Sequence, residues 1–559
     1  MTQQLVKPIP SFEADHNLAN YEQIQASFDW KEAKNYLSNA VKQGKINAAY
    51  ETIDRHVEEG FGNKIAIHYI NGTERKSYTF KEIKDKTDHY ARILKEKGVK
   101  RGDRVFVFLP KTAECYIAIL AVIKVGAIAG PLFEAFMEEA VKDRMNDCGG
   151  TVLITDQQLV GRVPQKEIPS LHTILIVEDL EKQPLVPVEG DELVEWVDWE
   201  DGLIIHYTSG STGKPKGVLH AHRAVQHHIV TGRWVLDMKD EDVYWCTSHP
   251  GWVTGSVYGL FAPLLNRATV VVQGGRFKAE SWYSLIEELG VTIWYSAPTA
   301  FRMLLSQGKL HEKYDLSSLR HVLSVGEPLN PEVINWAWEN LGVRIHDTWW
   351  MTETGGHLIV NLPSEKIKPG SMGRPLPGME VGILDDEGNI LDSGEVGQLA
   401  VKTPWPGLMK EIWGNKDKFQ SYFQYEGWYL SGDLALQDEE GYVFFQGRND
   451  DMINSAGERI GPFEVESKLI EHPAVEEAGV IGKPDELRGE LVKAFITLRQ
   501  GFTESEELLD EIRLFVRKNL SAHAAPREIE VVEELPKTKI SGKILRRQLK
   551  AQEIQKQQT

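Results

Sequence analysis

A chain of 559 residues is longer than one hydrophobic core can fill, since single cores stop growing near ~250 to 300 residues, so two or three subdomains are expected. The formal net charge of -19 argues against a nucleic-acid groove, whose phosphates need basic stripes, and reads as acidic solubility. The three cysteines, Cys115, Cys148 and Cys246, have no metal-ligand spacing and form no disulfide framework, which suits a reducing cytoplasm.

The amino-terminal MTQQLVKPIPSFEADHN carries no apolar signal region. KIAIHYI, residues 64–70, reads as a strand, and Thr79 with Glu82 makes a capping box that opens a helix ending at Gly98. RVFVFL, residues 104–109, is again a strand. The greasiest stretch, residues 116–133, is broken by Lys124, Gly126, Gly130 and Pro131 and is expected to be a buried helix and strand, not a membrane span. VLIT, TILIV, LIIHY, TVVV, VTIWY, HVLSV and VRIHD continue the alternation, with helices predicted at residues 282–289 and 332–341. Such a beat predicts an α/β fold of mostly parallel sheets flanked by helices over about 60–364. Over 365–449 the texture changes to hairpins, marked by DDEG at 385–388 and DEEG at 438–441, as in an antiparallel β subdomain. Beyond the charged GRNDD a small α+β domain, 450–559, is expected, with an amphipathic helix near 506–520.

The most informative segment is YTSGSTGKPKG, Tyr207 to Gly217, placed after the apolar strand LIIH and before a predicted helix. Its glycines let backbone N–H groups turn toward a polyanion, while Thr208, Ser209, Ser211 and Thr212 add hydroxyls and Lys214 and Lys216 add charge. The spacing fails the pattern GxxxxGK[ST], because Pro215 stands where that motif needs its glycine, so a P-loop NTPase is excluded at this segment.

The segment resembles the phosphate-binding loop of the adenylate-forming superfamily of acyl-CoA synthetases, luciferases and peptide-synthetase adenylation domains. Further motifs follow in the family's order. HDTWWMTETGG, residues 346–356, resembles its fifth core motif, which implies that Thr352 meets the α-phosphate and Glu353 holds Mg²⁺, a cation that prefers hard oxygen ligands. The resemblance assigns ATP and AMP contacts to Thr208, Ser209, Gly210, Ser211, Thr212, Gly213 and Lys216, to Gly326, Glu327 and Pro328, and to Asp347, Thr348 and Trp349. It gives Asp433 and Arg448 to the ribose and Arg459 to phosphate oxygens. In LPKTKISGKILRR, residues 535–547, Lys543 matches the family's catalytic lysine, with one more residue between PKT and SGK than the familiar form. The family's mobile carboxyl-terminal domain implies a hinge at Asp450 and CoA contacts at Gly457 and Arg517. The domains implied are therefore an adenylation body, 1–449, and a carboxyl-terminal domain, 450–559, carrying the lysine.

AAYETIDRH, GPLFEAF and HPGWVTG look specifically like acetyl-CoA synthetases. Trp350 stands where longer-chain relatives have a small residue, and with Trp252, Val253, Thr254 and Val325 it is expected to close a short acyl pocket. A methylene is worth only about 0.8 kcal/mol of burial, so exclusion by a wall selects acetate better than attraction does. The resemblance implies acetate, ATP and CoA as substrates, no nucleic-acid or membrane partner, and a lysine acetyltransferase and deacetylase acting on Lys543. A propionyl- or medium-chain acyl-CoA synthetase and an inert nucleotide-binding protein of the same fold remain as alternatives.

Overall fold

The computed structural model describes residues 8–11, 14–38, 44–209, 215–448, 451–455, 458–485, 489–537 and 544–558. Two large sheets form the body. One has nine strands, and its six central ones run parallel in the order 345–349, 321–325, 293–296, 243–246, 269–273, 65–71. Antiparallel strands close its edges, at 359–360 and 374–375 on one side and 74–79 on the other. The second sheet has seven strands, in the order 411–412, 215–221, 202–209, 128–132, 104–108, 152–155, 173–176, parallel from 202–209 onward.

The expected local signals are present. The helix Phe80–Glu96 starts with a complete Thr79–Glu82 capping box and stops before Gly98, whose φ of 82° a side chain would disfavour. The apolar stretch divides into the helix Ala113–Lys124 and the strand Ile128–Leu132, both almost wholly buried. A helix this apolar has to lie inside the protein, and its buried charge, Lys124, is met there by Asp54 at 2.8 Å and Asp88 at 2.6 Å. Among the described residues no helix is long and apolar enough to cross a membrane.

One expectation fails. The segment Tyr207 to Gly217 does not lead into a helix: Pro215–Ala221 is a strand, antiparallel to Gly202–Ser209, and the helix begins only at Ala224. The two strands pack closely at Gly217, where a Cβ would lie 2.8 Å from Ile205 Cδ1 and 3.1 Å from the Tyr207 ring, so a larger residue would have to displace those side chains.

The hairpin texture is borne out as a third sheet of four antiparallel strands, all within 381–448, with DDEG and DEEG at its turns. A fourth sheet, of five strands between 453 and 531, carries the helices Pro462–Ile470 and Glu506–Asn519. It touches the body through Arg499 to Glu332 at 2.8 Å and Asn330 to Ser467 at 3.3 Å. Asp450, the expected hinge, lies outside the described residues.

Candidate active site

Ligands of open α/β sheets gather where parallel strands end, and here three sheets direct residues to one junction. In the nine-stranded sheet the strands His321–Val325 and Ile345–Trp349 pair with Val325 against Thr348, so Gly326–Pro328 and the loop after Trp349 emerge side by side. From the seven-stranded sheet, Lys216 crosses over and places its ammonium 2.5 Å from Glu353 Oε1. The Tyr422 hydroxyl donates to the same oxygen at 3.1 Å and also contacts Lys216. Burial works to raise the Glu353 carboxyl, but the Lys216 ammonium and these hydrogen bonds hold it below the usual carboxylate range. Glu353 Oε2 has no side-chain partner among the described residues.

The four-stranded sheet supplies Asp433. Its carboxylate accepts from Trp349 Nε1 at 2.8 Å and from Arg448 at 2.9 Å, which fixes it against the end of the Ile345–Trp349 strand. Asp347 is buried, and desolvation pushes its carboxyl up to about 7. Glu327 is held by Thr299 and Arg302, each at 2.9 Å, and Gly326 before it has a φ of 92°.

The loop from Thr352 to His357 is held by ring N–H groups. His220 donates to the Thr352 carbonyl at 2.8 Å, Trp405 to Thr354 at 2.9 Å, His228 to Gly355 at 2.9 Å and His227 to His357 at 2.8 Å. Burial pushes His220 and His227 down to about 4, so both stay neutral, and a carbonyl partner requires the proton on Nε2.

Trp350, Val325 and Val253 share one apolar cluster. Trp252 instead packs with Phe133 and Phe136, at ring distances of 5.5 and 6.1 Å, in a separate cluster, and Thr254 sits in the short helix Val253–Ser256. The Thr348 hydroxyl is turned inward to the Ser324 carbonyl at 2.7 Å. Thr208 Oγ1, at the end of its strand, is buried without a hydrogen-bond partner among the described residues. Arg517 is exposed in the last turn of Glu506–Asn519. Gly210, Ser211, Thr212, Gly213, Gly457 and Lys543 lie outside the described residues, as do the side chains of Ser209 and Arg459.

The family model of AMP-binding enzymes matches residues 54–413, and that of the AMP-binding enzyme C-terminal domain matches 464–543. The chain belongs to the AMP-binding enzyme family. This AMP-binding enzyme is 56% identical over 560 residues to the acetyl-coenzyme A synthetase of Bacillus subtilis (strain 168), covering 98% of each chain. It is 42% identical to the acetyl-coenzyme A synthetase of Rubrobacter xylanophilus, over 91% of this chain and 84% of that one. Among solved structures it resembles an anthranilate CoA ligase in complex with anthranoyl-AMP, with a TM-score of 0.83, 30% identity and coverage of 92% and 99%. A Brucella canis acyl-CoA synthetase aligns with a TM-score of 0.73, 35% identity and coverage of 97% and 100%.

Sequence reasoning on this AMP-binding enzyme missed Tyr422 and the three histidines His220, His227 and His228. Tyr422 sits in the unremarkable segment FQSYF, and only the fold shows that its hydroxyl meets Glu353. The clustered histidines of LHAHRAVQHH were a visible signal, but their acceptors lie about 130 residues further along the chain.

Proposed function

We propose that this chain is an AMP-forming acetate–CoA ligase. Acetate attacks the α-phosphorus of ATP, the bond to the bridging oxygen breaks and pyrophosphate leaves. The CoA thiolate then attacks the acetyl carbonyl, the bond to AMP breaks, and acetyl-CoA forms. The observation that carries acetate is Trp350, only 7% exposed and packed edge-on to Tyr258 at 5.0 Å within the cluster of Val325 and Val253. An indole so confined is proposed as the wall that excludes acids longer than acetate. The relatives named acetyl-coenzyme A synthetase support the same reading.

The groups are proposed to divide the work as follows. The segment from Thr208 to Lys216 grips the phosphates, and the buried Thr208 hydroxyl, without a hydrogen-bond partner among the described residues, fits that use. Asp433, oriented by Trp349 and Arg448, takes the ribose, while Gly326–Pro328 and Asp347–Trp349 border the nucleotide. Thr352 and Lys543 stabilise charge developing at the α-phosphorus. Magnesium fits Glu353, whose Oε2 offers one hard oxygen, as expected of an ion that takes one or two carboxylates and completes its shell with phosphate and water. When bound, that ion neutralises phosphate charge. Asp450 is proposed as the hinge on which residues 450–559 change face between the half-reactions, with Gly457 and Arg517 toward CoA. Acetylation of Lys543 by a lysine acetyltransferase would remove its charge, and a deacetylase would restore it. A reducing cytoplasm suits the three free, buried thiols.

Acid-dependent ATP/pyrophosphate exchange over a series from acetate to hexanoate tests the reading. Acetate is expected to exchange fastest, propionate more slowly, and hexanoate at background. Equal rates for acetate and hexanoate would overturn the assignment of acetate, and no exchange with any acid would favour an inert protein of the same fold. Lys543→Ala is expected to slow adenylation on the order of 10²- to 10³-fold while thioester formation from supplied acetyl-adenylate is largely spared.

A further inference from the structure

Behind Trp350 lies a short chain of polar groups whose protons can all be assigned. Trp350 Nε1 is 3.2 Å from the Tyr295 hydroxyl, which is also 2.7 Å from Thr348 Oγ1 and 2.9 Å from His357 Nε2. Thr348 Oγ1 donates to the Ser324 carbonyl at 2.7 Å, and a carbonyl can only accept. With its single proton used there, Thr348 must accept from Tyr295. The Tyr295 oxygen, having given its proton to Thr348, accepts from both Trp350 Nε1–H and His357 Nε2–H. His357 Nδ1 has no partner among the described residues, which costs less for a bare lone pair than for a buried N–H and so agrees with the proton lying on Nε2. Tyr295 is fully buried, and desolvation keeps its phenol protonated far above the usual range.

The chain therefore runs one way, from the indole N–H through the phenol and the threonine hydroxyl to the Ser324 carbonyl. Its two ends are the two walls of the proposed acyl pocket. Ser324 immediately precedes Val325 on one strand, Thr348 is the registered partner of Val325 on the next, and Tyr295 belongs to the strand on the other side. Tyr258 adds a flat support, edge-on to Trp350 and stacked on His357 at 3.8 Å.

We propose that Tyr295 is a specificity-determining positioning residue that fixes the depth of the acyl pocket by tying the Trp350 indole to the Ser324–Val325 strand through Thr348. The proposal rests on the reading of Trp350 as the end wall. Steric exclusion works only if the excluding group cannot turn aside. An indole held by packing alone could swing to admit one more methylene, whereas an indole whose N–H has one buried acceptor leaves that donor unsatisfied when it moves.

Tyr295→Phe keeps the ring and removes the acceptor. Steady-state kcat/KM for acetate, propionate and butyrate is measured on the full-length variant with ATP and CoA, together with its thermal midpoint. The propionate-to-acetate ratio is expected to rise about tenfold. Thr348→Val, which removes the acceptor of the phenol and frees it to turn, is expected to move the ratio the same way by less. It decides the question if Tyr295→Phe does not fold. Any effect of Thr348 on nucleotide cancels, because both acids are read against the same ATP.

Trp350→Ala is run alongside. If it widens the range of acids while both other variants keep the parent ratio, the role given to Tyr295 is overturned and the end wall stands. If Trp350→Ala also keeps the parent ratio, the end wall itself is wrong and the proposal falls with it. A lowered thermal midpoint with an unmoved ratio means a role in stability alone and likewise overturns the proposal.

Discussion

Glu353 carries two jobs that pull in different directions. It is the carboxylate proposed for magnesium, yet here its Oε1 is shared by Lys216 and Tyr422, one from the second sheet and the other just past the short helix Lys416–Gln420. The sharing keeps a buried carboxylate ionised. Tyr422→Phe removes a hydrogen bond to a charged group and is expected to cost about 1.5 to 3 kcal/mol, seen as a lower urea midpoint with an unchanged m-value. An unshifted midpoint would mean that water replaces the hydroxyl without penalty. Lys216 and Glu353 were legible in the sequence because each sits inside a motif whose chemistry needs it. Tyr422 was not, because its role depends only on which loop the fold brings beside it.

At the level of elements, the loop after the Ile345–Trp349 strand is shaped from outside, by donors on the Pro215–Ala221 strand, the Ala224–Trp234 helix and Trp405. Gly355 is the point of closest approach: at a φ of 69°, a Cβ there would lie 1.9 Å from the Gly407 carbonyl oxygen. Gly355→Ala is expected to abolish activity and lower the melting temperature sharply, since both backbones would have to move. Gly290→Ala is the control. It has a similar φ of 59° but nothing within 4 Å, so its cost should be about 1 to 2 kcal/mol. Equal melting temperatures for the two variants would contradict this account. Alternating apolar runs located nearly every strand and helix named in advance, because period and capping are local properties. The strand Pro215–Ala221 was missed because its pairing with Gly202–Ser209 is a cross-strand property that no local pattern carries.

For the molecule as a whole, buried histidines set the response to acid. Burial pushes His56, His220, His227 and His321 down to about 4 and His206, His222 and His249 to about 3. Between the ordinary value near 6.5 and these lowered values the unfolded chain binds protons that the native state refuses. Stability is therefore complete above about pH 6.5 and falls as the pH drops toward 4. Asp347, raised to about 7, works the other way, losing stability as the pH rises from the usual carboxylate range to about 7, and burial also raises Asp54, Glu134, Asp147, Asp156 and Glu464; but His68, His228, His346 and His357 are lowered as well and add to the histidine side. The urea midpoint is expected to decline steeply from pH 6.5 to 4.5, and a flat profile over that interval would refute the prediction. None of this could be read from composition, since a count of histidines does not say which are dry.

The junction of three sheets also bears on how the protein is born. Lys216 leaves the ribosome early, Glu353 follows after more than a hundred residues, and Asp433 with Arg448 comes later still. Until the strand ending at Arg448 has emerged and paired, a nascent chain lacks part of the set proposed to hold the nucleotide, so on that proposal ATP would stabilise the finished body and not guide the first stages of folding.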